Sequence, residues 1–202
     1  MRMLKEEDRE RIINFYKRSF TRNSENFGRV SWTSRKDQIL RFMVLSSIGD
    51  LRGRPILDVG SGLGDFYFFL NQEVGNVRYT GIDIVPDFVA YASDRFPEVK
   101  FLERNIMDMP EDQRFDYVLS SGALTFKVED NEDFYFSVIE KMFRLSRIGT
   151  GFNMLNLAHH SDDQIYAAYD PKRIASLCEN LTSKMEVRTD YMPEDFTVFL
   201  YH

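Results

Sequence analysis

The sequence predicts an α/β protein built on a doubly wound, mostly parallel sheet with helices on both faces, preceded by a helical cap. Three observations carry this. A short apolar run at 56–59 passes straight into a glycine-rich turn at 60–64. From there, β-rich runs alternate with segments of helical length, which reads as successive βαβ crossovers. The last two β-rich runs, 185–191 and 196–201, leave only 192–195 between them, which permits an antiparallel hairpin and forbids a crossover helix.

The elements follow in order. Residues 4–20 place Ile12, Tyr16 and Phe20 at helical spacing with Phe15 nearby, so an amphipathic helix is expected there, followed by a polar loop over 21–34. A second helix over 35–48 stops at Gly49, with Gly53 and Pro55 just beyond. Strands are then expected at 56–59, 79–84, 99–106, 115–121 and 151–158, with crossover helices at 65–73, 86–95 and 131–147. Asp170-Pro171 opens a last helix running to about 180, and the two final runs bring the strands to seven. Residues 1–202 read as one domain, with 1–52 a helical cap or lid and 53–202 the α/β core.

Composition narrows the setting. With 202 residues, 43% of them hydrophobic, the chain can bury one substantial core. A single Cys excludes an internal disulfide, no apolar run is long enough to span a membrane, and Lys5-Glu6-Glu7-Asp8-Arg9 stands where a signal segment would be apolar. A cytoplasmic location is therefore the expectation. The net charge of −6 disfavours nucleic acid as a partner, but it is unevenly spread: residues 1–54 hold 13 Lys+Arg against 7 Asp+Glu, and the remainder is strongly acidic. That basic front is either an electropositive approach for an anionic substrate or a solvated helix face.

The turn itself, Ile56-Leu57-Asp58-Val59-Gly60-Ser61-Gly62-Leu63-Gly64-Asp65, argues against a dinucleotide, whose fingerprint wants its third glycine where Asp65 stands. The string resembles instead the first strand and loop of the class I S-adenosylmethionine-dependent methyltransferases. Further positions fit the same family. Tyr79-Thr80-Gly81-Ile82-Asp83-Ile84 ends a second strand in an acid, which in the family accepts hydrogen bonds from both ribose hydroxyls. The third strand carries Asn105-Ile106 where the family usually has Asp; an amide oxygen can still accept from the adenine amino group. The fourth ends in Ser120-Ser121, and in the family this end lies beside the methionine portion.

The resemblance implies a cofactor, S-adenosyl-L-methionine with S-adenosyl-L-homocysteine as product, held by Asp58, Gly60, Ser61, Gly62, Asp65, Asp83, Ile84, Asn105, Ile106 and Ser120. It also implies a seventh, antiparallel strand inserted between the fifth and sixth. Arg41 matches an arginine that some members use for the methionine carboxylate; a salt bridge within the fold is its alternative.

The methyl group of such a cofactor is already electrophilic, so no dedicated catalytic residue is obligatory. His159 and His160, just past the fifth strand, are the candidates for a base, although adjacent histidines in a loop with Ser161, Asp162 and Asp163 more often face solvent. Tyr16, Phe20, Trp32 and Phe126 are candidates for the acceptor site; Trp32 with Tyr16, Phe20 and Phe27 would form an aromatic lid, with plain packing of the first helices onto the sheet as the alternative. No metal is expected, because no His/Cys cluster has zinc spacing. Ser120-Ser121-Gly122-Ala123 lacks the Asn/Asp-Pro-Pro-aromatic string of enzymes that methylate nucleobases or amides. A small, anionic or hydroxylated acceptor, methylated on oxygen or nitrogen, is thus expected; a cofactor-binding module without methyl transfer, or an enzyme acting on protein or RNA, are the alternatives.

Overall fold

The computed structural model describes residues 2–31, 34–160 and 164–202. Its seven strands are β1 (Pro55–Val59), β2 (Arg78–Asp83), β3 (Lys100–Glu103), β4 (Phe115–Ser120), β5 (Ser146–Leu155), β6 (Met185–Arg188) and β7 (Asp195–Tyr201). They lie in the order β3-β2-β1-β4-β5-β7-β6. β1 pairs in parallel with β2 on one side and β4 on the other, so the chain winds outward in both directions from it. β7 runs antiparallel to both β5 and β6, filling the place between them.

The helices are α1 (Glu6–Arg22), α2 (Asn26–Arg29), α3 (Arg35–Ser46), α4 (Asp65–Glu73), α5 (Pro86–Arg95), α6 (Asn131–Leu145) and α7 (Pro171–Cys178). Side chains alternate across the sheet, and each face has its own core. Ile56, Tyr79, Tyr117, Leu119 and Phe199 pack beneath α3, α4 and α5. Leu57, Val59, Val118, Phe152 and Val198 pack beneath α6 and α7, with Ile12 of α1 joining them at one end. Each fully buried Leu or Phe contributes about 1.5–3 kcal/mol by leaving water, so the two-sided burial accounts for strands that read as continuous apolar runs.

Several boundaries differ from the sequence expectation, among them the end of β5, at Leu155 instead of 158, and four departures have a clear local reason. The loop expected over 21–34 contains α2, a single turn closed by the Val30 N–H donating to the Asn26 carbonyl at 3.3 Å. The third strand stops at Glu103 instead of 106, because the Asn105 side chain accepts from the Met107 N–H at 3.0 Å and turns the backbone into a 3-10 turn, Ile106–Asp108. β5 begins at Ser146, directly after α6 and well before the expected 151; the Ser146 hydroxyl donates to the Phe143 carbonyl at 2.8 Å and ends the helix without a loop. β6 ends at Arg188, whose Nε donates to Asp190 at 2.8 Å and bends the chain before 191.

Candidate functional site

β1 delivers its chain to the point where neighbouring strands depart in opposite directions, the place where an open α/β sheet forms a crevice. The N–H groups of Gly60 and Ser61 both donate to the Ile82 carbonyl, at 2.8 and 3.0 Å, which pins the turn to the end of β2. Gly60 has φ +76°, and a Cβ placed on it would stand 2.3 Å from the Cβ of Ala123. Only glycine satisfies both the backbone and that neighbour.

Asp83 closes the turn from the other side. One carboxylate oxygen accepts from the Gly62 N–H at 2.8 Å and the other from the Val85 N–H at 2.9 Å. Burial pushes its carboxyl up to about 6, against the opposing pull of those backbone donors. Asp58, deeper in the cleft, is pushed up to about 7, mainly by burial and further by the nearby Asp83, although the Tyr79 hydroxyl donates to it and works the other way. Asp65, at the first position of α4, pairs with Arg95 at 2.5 Å.

Several atoms here are buried without a hydrogen-bond partner among the described residues: Asp58 Oδ1, Asp65 Oδ2 and the hydroxyls of Ser61 and Ser121. A buried acceptor left unpaired costs about 1–3 kcal/mol, so the set calls for a ligand rich in N–H and O–H donors. The charge balance says what kind. Asp58, Asp65 and Asp83 line the cleft against a single lining cation, Arg104, among the described residues. A pyrophosphate would meet net repulsion there, whereas a ligand with vicinal hydroxyls, an ammonium group and a sulfonium fits the donor and charge requirements.

One continuous cleft gathers most of the residues expected from sequence: Asp58, Gly60, Ser61, Gly62, Asp65, Asp83, Ile84, Asn105, Ile106, Tyr16 and Phe126 all line it. Others are placed differently. Ser120 turns away, its hydroxyl donating to the Val59 carbonyl at 2.8 Å inside the sheet; strand alternation puts Ser121 in the cleft instead. Arg41 takes the alternative the sequence left open and forms an ion pair with Asp195, which is only 2% exposed. Phe20 is not a lining residue. It anchors α1 to α5 through Phe88 and Tyr91, with ring centroids 5.9 and 5.7 Å apart. His159 is exposed and His160 half-buried, and neither lines the cleft. Burial raises the Asp195 carboxyl above its ordinary range, against the pull of Arg41 and, more weakly, of nearby His160. Trp32 falls outside the described residues.

The basic front of the chain does not face the cleft either. Arg2 pairs with Asp130, Lys5 with Glu129 and Arg54 with Asp116, so part of the positive front is neutralised by the acidic body across the surface. Arg29 lies over the rings of Phe20 and Tyr91, at 4.9 and 5.5 Å from their centroids. Sequence reasoning missed Gln38 and Phe42 of α3, Leu124, and Phe134, Tyr135 and Val138 of α6, all of which line the cleft. The apolar periodicity of α6 was visible, but which of its residues stop short of full packing was not.

A family model described as a methyltransferase domain matches residues 51–196. Over 108 residues the chain is 34% identical to a malonyl-[acyl-carrier protein] O-methyltransferase of Acetivibrio thermocellus, covering 52% of this chain and 37% of that one. Over 82 residues it is 36% identical to a demethylmenaquinone methyltransferase of Chlorobaculum tepidum, covering 41% of this chain and 32% of the relative. The chain thus spans about a third of the length of these two relatives. Among solved structures, magnesium protoporphyrin IX methyltransferase from Synechocystis PCC 6803 with bound SAH superposes with a TM-score of 0.68 over 95% of this chain and 98% of that one. At 13% identity, this likeness concerns the fold.

Proposed function

Because the chain belongs to the methyltransferase-domain family, we propose that it transfers the methyl group of S-adenosylmethionine to a small-molecule acceptor. The observation that carries this reading is the set of unpartnered acceptor atoms and carboxylates around the Gly60–Gly62 turn, which suits a cationic, donor-rich ligand and not a phosphate. Asp83, already oriented by two backbone N–H groups, offers its remaining lone pairs to the ribose hydroxyls. Asp58, held by Tyr79 and carrying a free oxygen, is the counter-charge for the methionine ammonium. Ile84, Asn105 and Ile106 bracket the adenine, and Ser61 and Ser121 supply hydroxyls beside the methionine portion.

When bound, the cofactor supplies an electrophilic methyl carbon whose bond to sulfur breaks as the acceptor's lone pair attacks, leaving S-adenosylhomocysteine. The chain's own contribution is to hold the two reactants together and keep water out. Ile12 and Tyr16 of α1 cover the cleft, and the loop after β4 is fixed by paired backbone bonds to the segment after β5, such as Ala167 N–H to the Thr125 carbonyl at 2.8 Å. Neither histidine is placed to act as a base, so an acceptor that attacks through a neutral hydroxyl or amine gives up its proton to solvent once the methyl group has been transferred. The substrate class finds support in a relative named for demethylmenaquinone methylation. Incubation with methyl-labelled cofactor and a cell extract tests the proposal: label in a low-molecular-weight product is expected, whereas label confined to protein or RNA would overturn it.

A further inference from the structure

Beside the carboxylates and the glycine turn, the same cleft carries a second group of lining residues of different chemistry, here termed the lobe. Ile12 and Tyr16 of α1, Phe126 after β4, and Phe134, Tyr135 and Val138 of α6 line it with carbon surface. Both of its hydroxyls have polar neighbours. Tyr135 donates to the Phe126 carbonyl at 2.6 Å, and the Tyr16 hydroxyl lies close enough to that of Tyr166 for burial and this neighbour together to raise its pKa. The rings meet at angles, Phe134 with Tyr135 at 5.0 Å and 61° and Tyr16 with Phe126 at 6.1 Å and 46°, arrangements that a further aromatic ring can extend.

Charge points the same way. Of the cations next to the lobe's α1 residues, Lys17 is exposed, and Arg11, whose guanidinium lies 5.9 Å from the Phe126 ring centroid, is already paired with Asp8 at 2.5 Å and donates to the Lys127 carbonyl at 3.0 Å. Arg104 follows β3 and neighbours Asn105, at the cofactor end. A carboxylate or phosphate in the lobe would therefore be desolvated without a counter-charge and would share the cleft with three acids. We propose that the acceptor is an uncharged, apolar molecule built on an aromatic ring system, whose body occupies this lobe. This rests on the methyltransferase reading, and it replaces the anionic acceptor suggested by the basic front of the sequence.

The test uses a matched pair of probes, 2-naphthol and 2-naphthoate, which share a ring system and differ in charge at pH 7. Each is titrated into the protein saturated with S-adenosylhomocysteine, whose own affinity is measured separately. Naphthol is expected to bind at least tenfold more tightly than naphthoate. Val138→Thr, which keeps shape and adds a hydroxyl to the lobe, and Ile12→Thr, which adds a hydroxyl and removes one methyl group, are each expected to weaken naphthol at least threefold while leaving S-adenosylhomocysteine within twofold. Equal or tighter binding of naphthoate, or binding of neither probe by a protein that does bind S-adenosylhomocysteine, overturns the inference and leaves the cofactor reading intact. Failure to bind S-adenosylhomocysteine overturns the reading on which it rests. The probe comparison on the unaltered protein stands even if a variant does not fold.

Discussion

Replacing Asp83 with Asn separates the ligand-binding role of this residue from its structural one. Both of its oxygens accept a backbone N–H, from Gly62 and Val85, and the carboxylate is 8% exposed. An amide keeps one acceptor and turns the other into a donor, so one of those N–H groups loses its partner, at about 1–3 kcal/mol. Against this stands the cost of ionising a buried acid. The carboxyl has risen from 3.8 to about 6 in the folded protein, and a difference of about two pH units corresponds to ~3 kcal/mol at pH 7. Asn removes that cost, so the two effects cancel to within about 2 kcal/mol.

The pH dependence follows with a definite sign. Between about 4 and 6 the folded state holds a proton that the unfolded chain has released, so this carboxyl makes the protein more stable as pH falls from about 7 towards 4. That contribution is lost as pH rises through about 6, and in the Asn variant it is absent. Binding shows no such compensation. Two ribose hydroxyls lose a charged acceptor, each such bond being worth about 1.5–3 kcal/mol, and the affinity for S-adenosylhomocysteine is expected to drop at least tenfold, about 1.4 kcal/mol. Urea denaturation across pH and calorimetric titration measure the two quantities. An Asp83→Asn protein that binds within threefold of the parent would refute the assignment, and one destabilised by more than about 4 kcal/mol would refute the cancellation.

The remaining expectations concern the turn, the cofactor's charge partners, the cap and the ion pair beneath it. Gly60→Val forces a β-branched residue to φ +76° and against Ala123; it should cost about 2–5 kcal/mol in strain and overpacking, and S-adenosylhomocysteine should no longer raise the melting temperature. Affinity for S-adenosylhomocysteine should weaken as pH falls from 8 to 5.5, because protonation of Asp58 near 7 and Asp83 near 6 removes charge from the site; a flat profile would argue that neither meets the ligand. Hydrogen exchange should find α1 weakly protected alone and better protected with ligand, since Asp8 and Ile12 are its only buried residues; equal protection in both states would count against a lid. Arg41→Leu leaves Asp195 buried without its cation, so stability should fall by about 3–5 kcal/mol while S-adenosylhomocysteine affinity stays within threefold; a tenfold loss of affinity would restore Arg41 to the methionine carboxylate.

What could be read in advance was whatever the chain writes locally. Gly60, Gly62 and the acid at the end of β2 are signals of a few residues each, and they lie where the fold uses them. The start of β5 was hidden because Ser146 ends α6 and begins the strand in one step, with no glycine or proline between. Ser120 and Ser121 are equivalent in composition; only the pleat decides which faces the cleft. The basic front misled for a different reason. Its partners, Asp116, Glu129 and Asp130, are more than sixty positions away in sequence, so local charge counting could not reveal the pairings. The acceptor lobe draws on Ile12, Phe126 and Val138 from three separate elements, and no window of sequence contains it.

The position of β7 has a consequence for how the molecule comes into being. β6 touches the sheet only through β7, and β5 stays an unpaired edge until β7 arrives. During synthesis from the N-terminus, the ribosome therefore exposes a half-sheet ending in the ten residues of β5, with Phe152 and Met154 on its apolar face, some forty residues before the strand that completes it. The pairing that closes this gap is long in sequence separation and slow to form by its nature. Nascent chains at this stage are the ones that holdase chaperones should recognise. Substitutions weakening the β5–β7 ladder, such as a proline at Val198, should lower the yield of soluble protein, even though the cofactor crevice lies two strands away.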